Sequence, residues 1–191
     1  MSVIDEALKA RVQAALSSDS YAHSVRTSET AVALAGRHGA DAGRAGIAGL
    51  IHDVAKDCDD RELLAKAREF GLAVDPIESA KPYLLHAAVG ARMLAAEYGI
   101  EDEEILSAVK KHTFGDAKMS KLDKIVFLAD VIEPGRDFDG LPEIRRLAGV
   151  DLDMAFAKAY QGQLIFIIAK GGYLHPKTLS VWNALALEVR A

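Results

Sequence analysis

Apolar residues recur every three to four positions along most of this chain, interrupted by short polar stretches, so the pattern predicts helices joined by tight turns. The first is expected from Ile4 to Leu16 and the second from about Ser20 to His38, with Gly39 as a left-handed stop. Asp41 reads as the N-cap of a helix from Ala42 to Lys56 that carries Gly43, Gly46 and Gly49. Each of these glycines costs about 1 kcal/mol against alanine in a helix interior. What they provide is close approach of a neighbouring backbone, read either as simple close packing or, more sharply, as packing that brings the His23 helix against the His52 helix.

Further along, Asp59 or Asp60 caps a helix to Phe70, closed by Gly71, and Asp75-Pro76 opens a short piece leading to Pro82. A helix follows from about Leu85 to Tyr98, closed by Gly99. The carboxylates from Glu101 to Glu104 suit the positive end of the next helix dipole, and that helix runs through His112 to Gly115. Ser120 to Glu133, ended by Pro134, and Asp151 to Lys170, ended by Gly171-Gly172, are two more. His175-Pro176 starts the last, through Trp182 to Val189. His38, at a helix C-terminus, is assigned to capping rather than to ligation. No repeat or low-complexity linker divides residues 1–191, so the expected fold is a single all-α domain.

Composition narrows the function. Half of the residues are hydrophobic, enough to build a proper core, and aromatics are few, which favours helices over strands. With 28 acidic against 23 basic residues the net charge is −5, which makes nucleic acid an unlikely partner but leaves small phosphorylated ligands open. Cys58 is the lone cysteine, so there is no intramolecular disulfide, and Asp57, Asp59 and Asp60 beside it disfavour a thiolate. The N-terminus shows no basic region followed by a long apolar run, and Leu164 to Ala169 is too short to span a bilayer. The expected setting is cytoplasmic, without membrane attachment, and the helical surfaces leave a homodimer open.

The candidate chemistry centres on His52-Asp53. A His-Asp dipeptide alone means little, since roughly one is expected by chance in every two chains of this composition. Its company is more informative: His23, His86, His112 and Asp130 also lie in or beside apolar-periodic segments, each on a separate expected helix. Imidazole and carboxylate ligands held on packed elements suit a first-row transition metal. His23, His52, Asp53 and Asp130 form the expected metal quartet. His86 and His112 either hold a second ion, with Asp53 as bridge, or remain free to donate to phosphate oxygens. Without a thiolate, Fe and Mn are favoured over structural Zn, while catalytic Zn, Co and Ni remain compatible.

The order His23, His52-Asp53, Asp130 resembles the signature of the HD-domain metallophosphohydrolases. The phrases Leu85 to Ala91, Lys111 to Gly115, Phe127 to Asp137 and Gly171 to Thr178 resemble those of the bacterial YqeK-type symmetrical dinucleoside tetraphosphatases. The resemblance runs from about residue 20 to 185. It implies an HD-domain helical bundle with its core at about 20–135, and C-terminal helices over 141–190 that pack on this core and complete a substrate pocket. It also implies hydrolysis of diadenosine tetraphosphate to two ADP, with iron as the expected ion.

General chemistry agrees with that implication, because a cation that acidifies water and withdraws phosphoryl charge supplies most of what anhydride cleavage needs. Asp53 would be both ligand and orienter of the attacking water, and Lys56, on the same side of the chain as His52, joins it as the second catalytic candidate. Arg26, three residues after His23, and Arg136, just beyond Pro134, are expected on the polyphosphate. Arg26 and Lys56 each carry the alternative of a surface ion pair. Thr113 either holds a phosphate or ends a helix. Lys170, Gly171, Gly172, Tyr173 and His175 form a loop before a helix N-terminus that could receive an anion, with Tyr173 able to stack on adenine. The rivals are a cyclic-dinucleotide phosphodiesterase of the HD-GYP kind and a nucleotide-binding or ribosome-associated sensor without turnover. The chain lacks a Gly-Tyr-Pro phrase, and no His-His-Glu run follows His112.

Overall fold

A computed structural model describes residues 4–188, and among these residues every regular element is helical. The helices are α1 (Glu6–Ala15), α2 (Ser18–His38), α3 (Ala42–Ile51), α4 (Asp60–Glu69), α5 (Pro76–Ala80) and α6 (His86–Glu97), with a 3-10 turn at Pro82–Leu85 between the last two. They continue as α7 (Glu103–Lys111), α8 (Lys121–Ile132), α9 (Leu141–Ala148), α10 (Leu152–Ala169) and α11 (Pro176–Glu188). The expected end of the last helix at Val189 lies outside the described residues.

Local side chains account for most boundaries. Asp41, Asp59, Asp102 and Asp151 each accept amide hydrogens at an N-cap, and Ser120 with Asp123 forms a capping box at α8. Ser17, rather than a residue nearer Ser20, caps α2, so that helix begins at Ser18. Gly39 ends α2 at φ 64°, a left-handed conformation that glycine adopts without strain. His38 does not cap its own helix: its Nε2 lies 2.7 Å from the Ala148 carbonyl, at the end of α9.

One boundary differs in a way that matters. The expected helix to Lys56 stops at Ile51, and residues 52–57 tighten into turns. The Val54 amide donates to the Ile51 carbonyl and the Lys56 amide to Asp53, each three residues back instead of four. The region 141–190 contains a short amphipathic helix, α9, which buries Leu141, Ile144, Leu147 and Ala148.

The core forms where α2 packs against α3 and α8, with α7 closing over α3 and α8, and α10 over α8. Ile51, Leu128, Phe127, Phe156 and Tyr160 are among its fully buried side chains. A smaller cluster under α4 and α6 holds Leu63, Leu85 and Val89. Gly46 and Gly49 let α3 meet α2: an added Cβ on Gly49 would lie 2.8 Å from the Ser28 Cα. Close packing of Gly49 on the middle of α2 thereby sets the turn after α3, with His52, near the first half of α2, with His23.

Cys58 borders the smaller cluster, where burial first and then the neighbouring Glu62 carboxylate push its thiol up to about 11. Its alkylation by iodoacetamide at pH 7.5 should therefore run about a hundredfold slower than that of an ordinary cysteine, as mass spectrometry would record. Labelling at the rate of free glutathione would contradict this.

Candidate metal centre

Four imidazoles and two carboxylates meet where α2, the turn after α3, and the ends of α6, α7 and α8 converge. His52 and Asp53 come from the turn, His23 from α2, His86 from the first position of α6, His112 from the end of α7 and Asp130 from α8. His52, Asp53, His86 and His112 are all buried.

The hydrogen bonds assign the imidazole tautomers. Nδ1–H of His52 donates to the Gly49 carbonyl at 2.8 Å, that of His86 to Tyr83 at 2.6 Å and that of His112 to Val109 at 2.7 Å. In each case the acceptor lies three residues back, so the local backbone sets the ring. His23 directs Nδ1 at the Glu133 carboxylate, 3.2 Å away. All four rings thus turn Nε2 inward.

Those atoms fall into two groups that share Asp53. His52 Nε2 lies 3.3 Å and His23 Nε2 3.8 Å from Asp53 Oδ2, while Asp130 Oδ1 is 3.0 Å from His23 Nε2 and 3.9 Å from His52 Nε2. On the other side, His86 Nε2 and His112 Nε2 are each 3.3 Å from Asp53 Oδ1 and 3.1 Å from one another. Donor atoms at about 2.1 Å from one cation stand roughly 3 to 4 Å apart, so both spacings fit. Buried His52 Nε2 and Asp53 Oδ1 have no hydrogen-bond partner. Leaving such groups unsatisfied costs about 1–3 kcal/mol each, and a cation removes that cost. The donor set therefore fits divalent cations.

The electrostatics point the same way. Burial pushes the His112 imidazole down to about 4, which keeps it neutral as a ligand must be. Burial opposes ionisation of Asp53, but the imidazoles of His52, His112 and His86 crowded around it hold its carboxyl well below the usual range. Asp130 is likewise held low against burial, by His23, His52 and Arg136.

Around these donors the arrangement departs from several expectations. Arg26, expected on the polyphosphate, spends its guanidinium on Glu133, with Nε donating to Oε2 at 2.5 Å and a second nitrogen 3.3 Å from Oε1. Arg136, its side chain 43 % exposed, donates from Nε to the Asp130 carbonyl and from a terminal guanidinium nitrogen to Asp130 Oδ1. Lys56 Nζ is half-exposed at 3.7 Å from Asp53 Oδ1. Thr113 Oγ1 lies 3.1 Å from both His86 Nε2 and His112 Nε2.

The N-terminus of α11 offers little to an anion. Pro176 has no N–H, the Lys177 amide donates to His175 Nδ1 and the Thr178 amide to the His175 carbonyl. Tyr173 is exposed beside a cavity of about 270 Å³ that Lys170 and Gly172 also line, together with Thr113, Tyr83 and Phe166. Gly171 ends α10 in the left-handed conformation, at φ 64°.

Glu133 is the residue the sequence reading missed. It is fully buried, and it holds His23 Nδ1, Arg26 and the Gly135 amide together. Burial alone would raise its carboxyl, yet the Arg26 hydrogen bond, the Gly135 amide and His23 bring it down to about 2. A signal was available, since Glu133 follows Asp130 by one helical turn. Partners that orient a ligand are worth about 10- to 100-fold in metal affinity. Glu133→Gln should weaken cation binding by that factor in a competition titration, and an unchanged affinity would remove Glu133 from this role.

An all-helical domain with a paired His and Asp centre is the architecture of one known class. A model of the HD domain matches residues 20–135, and the chain belongs to the HD-domain family. HD domains bind divalent metals. More specifically, the chain is 40% identical over 168 residues to a protein of Halalkalibacterium halodurans named symmetrical bis(5'-nucleosyl)-tetraphosphatase, covering 88% of this chain and 89% of that one. A Bacillus subtilis protein of the same name is 36% identical, over 95% of this chain and 96% of its own. A crystal structure from Clostridium acetobutylicum, described as a predicted HD superfamily hydrolase involved in NAD metabolism, superposes with a TM-score of 0.92 at 36% identity. That superposition covers 96% of this chain and 97% of the other.

Proposed function

We propose that this chain hydrolyses dinucleoside tetraphosphates symmetrically, with diadenosine tetraphosphate giving two ADP, at a centre whose imidazoles and carboxylates would hold divalent cations on either side of Asp53. One observation carries the reading: the two Asp53 oxygens face separate pairs of imidazole Nε2 atoms, and the second pair adjoins Thr113 on the wall of the cavity. The names of the bacillus proteins support the substrate.

His23, His52, Asp130 and Asp53 Oδ2 would hold one ion, and His86, His112 and Asp53 Oδ1 the other. Divalent cations bound there supply Lewis-acid stabilisation of phosphoryl charge and a nucleophile drawn from water at neutral pH. The anionic Asp53 carboxylate orients that water. Lys56 and Arg136, both partly exposed at the edge of the centre, place positive charge where a tetraphosphate would lie. Arg26 acts through Glu133 and His23 rather than on phosphate. ADP is a good leaving group, so no strong general acid is required.

The cavity suits a nucleoside, with exposed Tyr83, Phe166 and Tyr173 for stacking and Lys81 and Lys170 for phosphate charge. Much of its lining comes from α10 and the loop after it, which supports a single domain whose C-terminal helices complete the substrate pocket. The donor set of imidazole and carboxylate without thiolate suits iron or manganese alike, and iron is the ion that the family resemblance implies. The lone thiol at Cys58 supports a cytoplasmic setting, and among the described residues no helix is long and apolar enough to cross a membrane.

The test is to incubate protein loaded with iron or manganese with diadenosine tetraphosphate in ¹⁸O-labelled water and weigh the products. ADP alone, with label in one of each two molecules, is expected. AMP with ATP would overturn symmetrical cleavage. No product, or turnover of cyclic dinucleotides only, would overturn the activity.

A further inference from the structure

On the cavity side of Asp53 a fourth atom stands with His86 Nε2, His112 Nε2 and Asp53 Oδ1. Thr113, in the turn that follows α7, places its Oγ1 3.1 Å from each of the two nitrogens. The nitrogens are 3.1 Å apart, and each is 3.3 Å from Asp53 Oδ1. These separations are nearly equal, as the edges of a tetrahedron are. Donors at its corners, each about 2.0 Å from a cation at its centre, stand about 3.3 Å apart.

Protons cannot satisfy this quartet. His86 gives Nδ1–H to the Tyr83 carbonyl and His112 gives its own to Val109, so both Nε2 atoms carry a lone pair and no hydrogen. Asp53 Oδ1 is an acceptor too, buried and without a hydrogen-bond partner. Thr113 brings the one proton within the group, and that proton can serve one ring only, leaving the other nitrogen and the carboxylate oxygen facing bare lone pairs. A cation resolves the conflict, because it takes those three lone pairs and one from the hydroxyl. The backbone beyond Thr113 is also tied in place. The Gly115 amide donates to the Lys111 carbonyl at 2.8 Å, and the Tyr160 hydroxyl donates to the Phe114 carbonyl at 2.8 Å.

We propose that Thr113 Oγ1 is itself a ligand of the cation held by His86, His112 and Asp53 Oδ1, completing four protein donors on that side. The inference deepens the reading of the preceding subsection and rests on it for a cation at this position. A neutral hydroxyl is a weaker donor than imidazole or carboxylate, and Thr113 lines the cavity. It is therefore the donor that an incoming phosphate oxygen would replace.

Manganese binding to the wild type, Thr113→Val, Thr113→Ser and His86→Ala tests this without any nucleotide, with free manganese counted by electron paramagnetic resonance. Valine keeps the branched shape and lacks the hydroxyl, while serine keeps the hydroxyl. The wild type should take up two ions per chain. Thr113→Val should weaken one of them by about tenfold or more, the scale on which even a ligand's partners matter, and leave the same tight ion that His86→Ala leaves. Thr113→Ser should stay within about threefold of the wild type. Two ions of unchanged affinity in Thr113→Val would overturn the assignment, and a raised KM for diadenosine tetraphosphate beside them would make Thr113 a phosphate contact instead. Equal weakening by valine and serine would overturn it as well, since the loss would then follow packing and not the hydroxyl. A wild type that binds one ion or none would remove the site itself. Because the titration contains no nucleotide, missing turnover would sink the hydrolase reading alone, and a failed titration would leave hydrolysis at the other group of donors standing.

Discussion

Asp53→Ala should abolish turnover and leave the protein with at most a fraction of its metal. Asp53 is the one side chain that faces both groups of imidazoles, with Oδ2 3.3 Å from His52 Nε2 and Oδ1 3.3 Å from both His86 and His112. Its removal takes a carboxylate from both candidate sites at once. Cation-derived stabilisation of phosphoryl transfer is worth several kcal/mol, so the rate should fall by about a thousandfold or more. Metal analysis of the purified variant and hydrolysis assays with added iron or manganese check this. Full activity with wild-type metal content would rule out the two-cation reading.

Asp53→Asn separates ligation from packing. The residue is buried among imidazoles that hold its carboxyl low, so in the metal-free protein the isosteric amide keeps the packing but loses that attraction and should lower the melting temperature. Ligand binding to the folded state alone raises stability by mass action, so added manganese should raise the melting temperature of the wild type but not that of Asp53→Asn. Equal metal-induced shifts in the two proteins would place the cation elsewhere.

Which parts of this architecture were legible beforehand follows from the range of the forces that make them. Helix starts at Asp41, Asp59, Asp102 and Ser120 depend on side chains bonding amides two or three residues away, and such local chemistry is written in order along the chain. The spacing of His23, His52-Asp53 and Asp130 was likewise readable, because each sits on its own apolar-periodic segment. The turn at 52–57 was not, since its composition suits a helix and only the switch to bonds three residues back ends α3. Glu133 could not be assigned as a partner of Arg26 and His23, which lie 107 and 110 residues earlier. Of the two readings open for Arg26, phosphate contact or an ion pair, the fold favours the second, through a partner 107 residues away that no local pattern names. His175 shows a further limit, because its type matches the four inward-facing rings and only the Lys177 amide on Nδ1 reveals that its tautomer is reversed.

Gly49→Ala should be the most damaging substitution outside the cluster of donors. On propensity alone it would stabilise α3 by about 1 kcal/mol. The new Cβ, however, would sit 2.8 Å from Ser28 Cα, 3.0 Å from Ser28 N and 3.1 Å from the Thr27 carbonyl, all backbone atoms in the middle of α2. Backbone cannot swing aside, so α2 and α3 must separate, and overpacking of this kind costs about 1–3 kcal/mol. Gly46→Ala supplies the contrast. Its Cβ would meet the Val32 Cγ2 at 2.9 Å, the end of a side chain that is 40% exposed and has room to turn, so the net change there should be close to zero. Separating α2 from α3 also draws His23 away from His52, whose ring is fixed to the Gly49 carbonyl itself. Gly49→Ala should therefore lower both the denaturant midpoint and the cation affinity, while Gly46→Ala lowers neither. If Gly49→Ala unfolds at the wild-type midpoint, the close approach of these two helices does not hold the centre together.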